Sequence, residues 1–247
     1  MPRVALLSVT PVVSTQLHHP DVVELDHDGV AGNRVFAFVL ASGRLYDGVA
    51  QGEVMAVESA YDAATDVLRL HFPDGEVAEA EVGEGGEEVT TPSFRSPGRH
   101  VPGPWDAPIA RLAGKPARLV RLAPGTYGAS ISLLGRASVA DLAPGAAVLD
   151  ERRFRMLVML DGSDAHAESD WMGRDVRVGG AVVRVDAHCA RCVMTNRDPA
   201  TGVDDFNSLR AIRDRRGRAP DGELHLGVYA SVVQPGRVQV GDEVAPL

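Results

Sequence analysis

Residues Val185–Asp205 read "VDAHCARCVMTNRDPATGVDD". This stretch holds the chain's only two cysteines, Cys189 and Cys192, with Arg191 between them and His188 just before. The apolar alternation of "VVRVDA" leads into the pair as a strand. "VMT" after it is strand-like, and "RDPATG" has turn chemistry. A thioredoxin-type redox pair places its first cysteine at the start of a helix in a strand–helix unit, and that context is missing here. A zinc knuckle needs a second cysteine pair, which the chain lacks. A mixed site of two cysteines and a histidine, completed by a distant ligand, stays open, and so does a buried cysteine that only packs.

The surrounding composition narrows the class. Over 247 residues, 45% are apolar and 24% charged, as in ordinary globular proteins. A net charge of −9 and a pI near 5.3 argue against a nucleic-acid partner. The one basic run, "RAIRDRRGRAP", reads as a solvated helix end. No apolar run reaches membrane-spanning length, and "MPRVALLSVTPVV" lacks the features of a secretory signal, so a cytoplasmic, non-membrane protein is expected. In a reducing compartment two nearby cysteines point to catalysis, redox or metal binding rather than to a structural disulfide.

Outward from the cysteines, short Val-rich runs alternate with Gly/Pro/Asp turns. "RVALLSV" predicts a buried strand, and "RVFAFVLASGRLYDG" predicts two strands around Ala41-Ser42-Gly43. "DVLRLHFPDGEVAEAEV" predicts a hairpin turning at Pro73-Asp74-Gly75. "EVGEGGEEVTTPSFRSPGRHVPGP" predicts a long surface loop. Trp105, Ile109 and Leu112 recur at helical spacing before a stop at Gly114. "ARLVRL" and "FRMLVML" predict strands. "GRASVADLAPG" predicts a short helix with Ser138 as its cap. Two strands are expected around Gly179-Gly180, a helix over "DFNSLRAIRDRRG", and more strands to the end. The fold class is therefore mainly β with short helices, barrel-like rather than doubly wound, in two units, 1–123 and 124–247.

"HCARCVMTNRDPATG" closely resembles the "C-x-R-C-x-x-T-x-x-D-P-x-T-G" segment of MOSC domains, the family of molybdenum-cofactor sulfurase C-terminal domains and amidoxime-reducing components. The preceding run resembles that family too, with Arg153, Phe154, Arg155, Glu168, Trp171 and Gly179 in register. So do "SVADL" and the closing "PGRVQVGDEVAPL". "DGVAGNRVFAFVLASGRL" resembles the N-terminal β-barrel partner domain. The resemblance implies that Cys192 is a molybdenum ligand and that Arg34, Arg155, Arg191 and Thr195 lie at the molybdenum cofactor (molybdopterin). A thiolate is a soft donor suited to that metal, and Arg191 beside it favours the charged form. Arginine forks suit the cofactor's phosphate and pterin. Cys192 is then expected at the floor of a cleft between the two units, as part of an oxidoreductase that acts on a small N-hydroxylated or similar oxygenated substrate. An external electron-donor protein would be needed, because the chain carries no flavin, haem or iron–sulfur motif. His188 is a candidate hydrogen-bond donor behind the metal ligand or a merely packed residue.

The chain departs from the family in places. "LLSVTPVV" lacks the family's lysine, Asn33-Arg34 replaces "D-R", "YDGVAQGEVMAVE" lacks an arginine, and Met156-Leu157 replaces Pro-Asn. Losing two charge-assisted phosphate contacts, at roughly 1.5–3 kcal/mol each, removes on the order of two to four decades of affinity. Arg44, His18 and His19 are the candidate replacements. Two other readings follow from these losses: a sulfur carrier or transferase with a Cys192 persulfide, and a divergent, non-catalytic, cofactor-free module.

Overall fold

Valines at alternate positions build the centre of the molecule. The computed structural model describes residues 1–93, 97–123, 126, 131–145 and 149–247. In the first half the strands are β1 (Arg3–Leu7), β2 (Val22–Asp26), β3 (Gly29–Val30), β4 (Phe36–Leu40), β5 (Glu58–Asp62), β6 (Val67–His71), β7 (Val77–Glu81), β8 (Glu88–Val89), β9 (Gly98–His100) and β10 (Ala117–Arg121), with helix α1 (Asp106–Ala113) before β10. The second half contributes β11 (Ile131–Gly135), α2 (Arg136–Ala140), β12 (Val158–Asp161), β13 (Asp175–Val178), β14 (Ala181–Ala190), α3 (Ser208–Arg216), β15 (His225–Gln234), β16 (Gly236–Gln239) and β17 (Val244–Pro246).

Seven strands form one sheet in the order β1-β12-β11-β15-β14-β13-β17. Its two edges meet. Val4 N donates to Asp242 O at 2.9 Å, and Val244 N donates to Pro2 O at 2.9 Å, so the sheet is a nearly closed barrel that protects its edge strands. Inward-facing Val4, Leu25, Ile131, Val176, Val183 and Val228 fill it. Two pairings cross the division expected at residue 123: β1 lies against β12, and β2 against β16. The boundary at Pro124 lies outside the described residues. The other large core lies in the first half, where Phe36, Phe38, Leu68 and Leu70 pack on Trp105 and Ile109. Gly114, with φ 65°, ends α1 in the left-handed conformation that glycine adopts without strain.

Four sequence expectations need correction. The polar stretch 83–104 contains β8 and β9, which add two short rungs to the sheet of β4 and β10. Ser138 is no cap: α2 begins at Arg136, and the buried Ser138 hydroxyl donates to Glu168 at 2.9 Å. "FRMLVML" is strand only from Val158, because Arg155 takes φ 52° and breaks the extension. "VMT" is no strand: Val193–Asn196 is a 3₁₀ turn.

Candidate functional site

β14 delivers the cysteines. Its pairing with β15 slips between Val182 and Val183, between Val185 and Ala187, and between His188 and Ala190. Such bulges bend and re-aim a strand near its end. Cys189 ends in the interior beside Leu134, Phe154, Ile212 and Leu226, only 1% exposed. Cys192 is exposed, and both thiols are free. Cys192 precedes the 3₁₀ turn, and its carbonyl accepts from Thr195 N at 3.1 Å and Thr195 Oγ1 at 2.9 Å. Thr195 is buried, and its hydroxyl also lies 2.6 Å from Ser208 Oγ at the start of α3. Ser208 in turn donates to Asn196 Oδ1 at 2.8 Å. Thr195 thus holds the turn that presents Cys192.

Behind that turn, Arg153 is buried and donates to Thr195 O and Arg197 O, both at 3.2 Å, and to both carboxylate oxygens of Asp205, at 3.0 and 3.1 Å. Asp198 Oδ1 accepts from Ala200 N, Thr201 N and Thr201 Oγ1, which closes the Asp198–Gly202 turn. This turn docks on the first half of the chain at Gly52. An added Cβ at Gly202 would lie 1.9 Å from Gly52 O, and Gly202 has φ 73°.

The three arginines implied by the resemblance converge on one segment. Arg34 Nη2 donates to Arg155 O at 2.9 Å, and Arg155 Nη2 donates to Thr15 O at 2.6 Å. Arg191 donates to Phe154 O at 3.0 Å and to Leu226 O at 2.8 Å, and also contacts Met156 Sδ at 2.8 Å. Its guanidinium is spent on these partners, so it ties the cysteine segment to residues 154–156. Gly227 leaves room for it: a Cβ there would lie 2.8 Å from Leu133 O and 3.3 Å from Arg191 Nη2. Arg34 and Arg155 both have positive φ, 54° and 52°, a conformation that costs energy outside glycine and clusters at functional sites.

Electrostatically the segment is unbalanced. Burial, with the neighbouring Arg34 charge, lowers Arg155 to about 9. Arg155 Nη1 is buried with no hydrogen-bond partner among the described residues, and so is Ser14 Oγ beside Thr15. Buried donors without acceptors are costly, and a buried cation is more so. An oxyanion is the kind of acceptor that satisfies such donors. Unpartnered cationic donors and an exposed free thiol are the donor types that a phosphate-bearing, thiolate-ligated cofactor would use.

Tyr229, which the sequence reading did not select, joins the site. Burial and its bond to Cys189 push the phenol up to about 12, against the opposing charges of Arg191 and Arg34. Its only sequence signal was an aromatic residue within a valine-rich strand. Asn33 caps the adjoining loop, accepting from Thr10 N at 3.0 Å, which an amide oxygen does as well as a carboxylate.

Of the three replacement cations, Arg44 lies apart from Arg34. Arg44 follows β4 whereas Arg34 precedes it. Five strand residues put them about 17 Å apart, beyond an arginine's reach. His19 sits against Ser8 Oγ and Leu7 O, and burial holds it below the ordinary imidazole range. His18 contacts Ser59 O and lines a cavity of about 260 Å³ with Thr10 and Asn33. No helix among the described residues is long and apolar enough to cross a membrane, and no group of three or more metal-ligating side chains occurs among them.

A family model described as MOSC domain matches residues 111–245. Mitochondrial amidoxime-reducing component 1 of Mus musculus is 32% identical over 98 residues, which is 37% of this chain and 28% of that protein. The Homo sapiens protein of the same name is 31% identical over 123 residues, 45% of this chain and 35% of its own length. The matched segment thus spans about a third of these relatives or less. Among solved structures, the YUAD protein from Bacillus subtilis aligns over 99% of this chain and 94% of its own, at 12% identity and a TM-score of 0.47.

Proposed function

Because the chain belongs to the MOSC domain family, whose model covers more than half of it, we propose that it is a molybdenum-cofactor-binding oxidoreductase with Cys192 as the protein's metal ligand. The observation that carries this reading is the unpartnered Arg155 Nη1, beside Arg34 and on the segment that Arg191 ties to the cysteine strand. When bound, the cofactor supplies two-electron redox chemistry at the metal. The rest falls to the chain. Arg155 and Arg34 hold the anionic group from two sides of the 10–15 and 151–156 segments. Arg191 fixes the cysteine strand to the barrel. Thr195, Ser208 and Arg153 hold the turn that keeps the Cys192 thiol exposed. Tyr229, protonated at neutral pH, can donate a hydrogen bond from the site's wall. The cleft would lie between the seven-stranded barrel, which includes β1, and the first-half core around Phe36 and Trp105.

The substrate class is a small N-hydroxylated or similarly oxygenated compound, in line with the names of the amidoxime-reducing relatives. Electrons come from a separate donor protein. A second reading, a sulfur carrier using a Cys192 persulfide, is favoured by the exposed free thiol and by "LLSVTPVV", which has no lysine.

Metal and pterin analysis of the chain, purified from a host that makes the cofactor, separates the two readings. Stoichiometric molybdenum supports the oxidoreductase. Its reproducible absence, together with a trappable persulfide on Cys192, supports the carrier.

A further inference from the structure

His188, expected as a donor to the cysteine site or as a packed residue, is packed against a second histidine on the wall of a cavity. Its ring stacks on His225, with centroids 5.4 Å apart and planes inclined by 18°. The two rings line a cavity of about 500 Å³ together with Arg216, at the end of α3, and the 217–221 turn that carries Arg218 and Asp221. His188 Nδ1 is buried with no hydrogen-bond partner among the described residues. Asp221 is the cavity's one carboxylate and lies 3.1 Å from His225 Nε2, so it is already matched. Among the described residues, Arg216 makes one hydrogen bond, to Ser169 Oγ at 3.3 Å, and Arg218 one, to Gly222 O at 2.7 Å. Each guanidinium has five N–H groups, so both keep donors for a ligand.

In a chain of net charge −9, two arginines and two imidazoles around one cavity with a single, paired carboxylate are a local excess of positive charge. Cations with spare donors and an unpartnered imidazole nitrogen suit a ligand with several acceptor oxygens. The space exceeds that of a bare ion and lies within the range of small-molecule sites. We propose that this cavity is a second ligand site, which binds a small tetrahedral oxyanion, phosphate or sulfate, free or esterified to a small organic group, between the His188–His225 pair and Arg216 and Arg218.

The site has its own pH dependence. Burial, then the charges of His225 and Arg216, hold His188 below the ordinary imidazole range, with Asp221 opposing. The groups facing it are His225 on β15, Arg216 on α3, and Arg218 and Asp221 on the turn. A bound anion favours protonated imidazole, so affinity rises as pH falls through the His188 titration.

The test follows the imidazole NMR signals of the full chain during titration with sulfate, at constant ionic strength. Sulfate keeps its charge across the range, so any pH effect belongs to the protein. The expected result is saturable shifts of His188 and His225, with binding tighter at about pH 5.5 than at about pH 8. The Arg216→Ala/Arg218→Ala variant should weaken binding by about tenfold or more. His188→Gln should bind with a flattened pH profile, and it guards against a misfolded double variant. Tighter binding of phenyl phosphate than of inorganic phosphate assigns an esterified ligand, equal binding a free ion, and either supports the site. The proposal falls if no saturable shift occurs, or if the arginine variant binds as the wild type does. It falls too if Arg155→Gln abolishes the shifts, because the anion would then sit at the cysteine site. None of these outcomes depends on molybdenum content.

Discussion

Arg155 is the residue on which the site turns. It carries a buried charge, one hydrogen bond to Thr15 O and an unpartnered Nη1, all on a backbone with φ 52°. Arg153 Nε and Arg197 Nε are also buried without a partner among the described residues, but the charge of Arg155 is in addition opposed by that of Arg34. Arg155→Gln should therefore leave the melting temperature of the cofactor-free protein unchanged or raised, and should lower cofactor content at least about tenfold. Thermal melts and pterin analysis of the same preparation check both. Arg153, two residues earlier, should behave oppositely. Its donors bridge Thr195, Arg197 and Asp205, so Arg153→Met should destabilise the chain by about 3 kcal/mol, with denaturant unfolding as the readout.

Glu168 offers a pH test at the same scale. It is fully buried, and burial pushes its carboxyl above the usual range despite the Ser138 hydroxyl. The folded chain then holds the proton more tightly than the unfolded one. The stability this gives is fully present below the unfolded pKa, about 4.3, and is lost as pH rises through the folded value. Glu168→Gln should remove that loss, flattening the slope of stability against pH in this window, as equilibrium unfolding at a series of pH values would record. An unchanged slope would assign the slope to other groups.

At the scale of elements, the cysteine loop is held by contacts that span the chain. Gly202 presses its backbone on Gly52 at a distance that no Cβ tolerates, and at positive φ. Gly202→Ala should cost about 1–3 kcal/mol and reduce cofactor content together with stability, which calorimetry and metal analysis would show in parallel. The sequence carried part of this. The turn chemistry of Asp198, Thr201 and Gly202 was readable, because those residues bond within four positions of one another. The partner at Gly52 was not, because a lone glycine in "VAQGEVMAV" carries no sign of the backbone that meets it. The 3₁₀ turn at Val193–Asn196 was misread for a similar reason. Val-Met-Thr favours strand by propensity, but the hydrogen bonds from Thr195 to Cys192 O and the contact with α3 override it.

At the scale of the molecule, alternation in "AVVRV" and "VRV" made the barrel's strands legible, and the closing of that barrel by the N-terminal strand was not. β1 pairs with β12, some 150 residues away, and no local pattern encodes that partner. The same long-range closure brings the 10–15 segment against Arg155, so the site depends on both ends of the chain. Arg34, Arg155 and Arg191 were recoverable from a resemblance alone. Tyr229 and the His188–His225 cavity were not, since each becomes a feature only when β14 and β15 pair, and Ser14 becomes one only when its segment meets Arg155. The central claim, that this assembly holds a metal through one particular thiol, is tested most directly by X-ray absorption at the molybdenum edge of cofactor-loaded protein. Wild type, Cys192→Ser and Cys189→Ser would be compared. The account predicts that Cys192→Ser loses one sulfur from the metal's coordination shell while Cys189→Ser keeps it. A sulfur count unchanged in Cys192→Ser would contradict it.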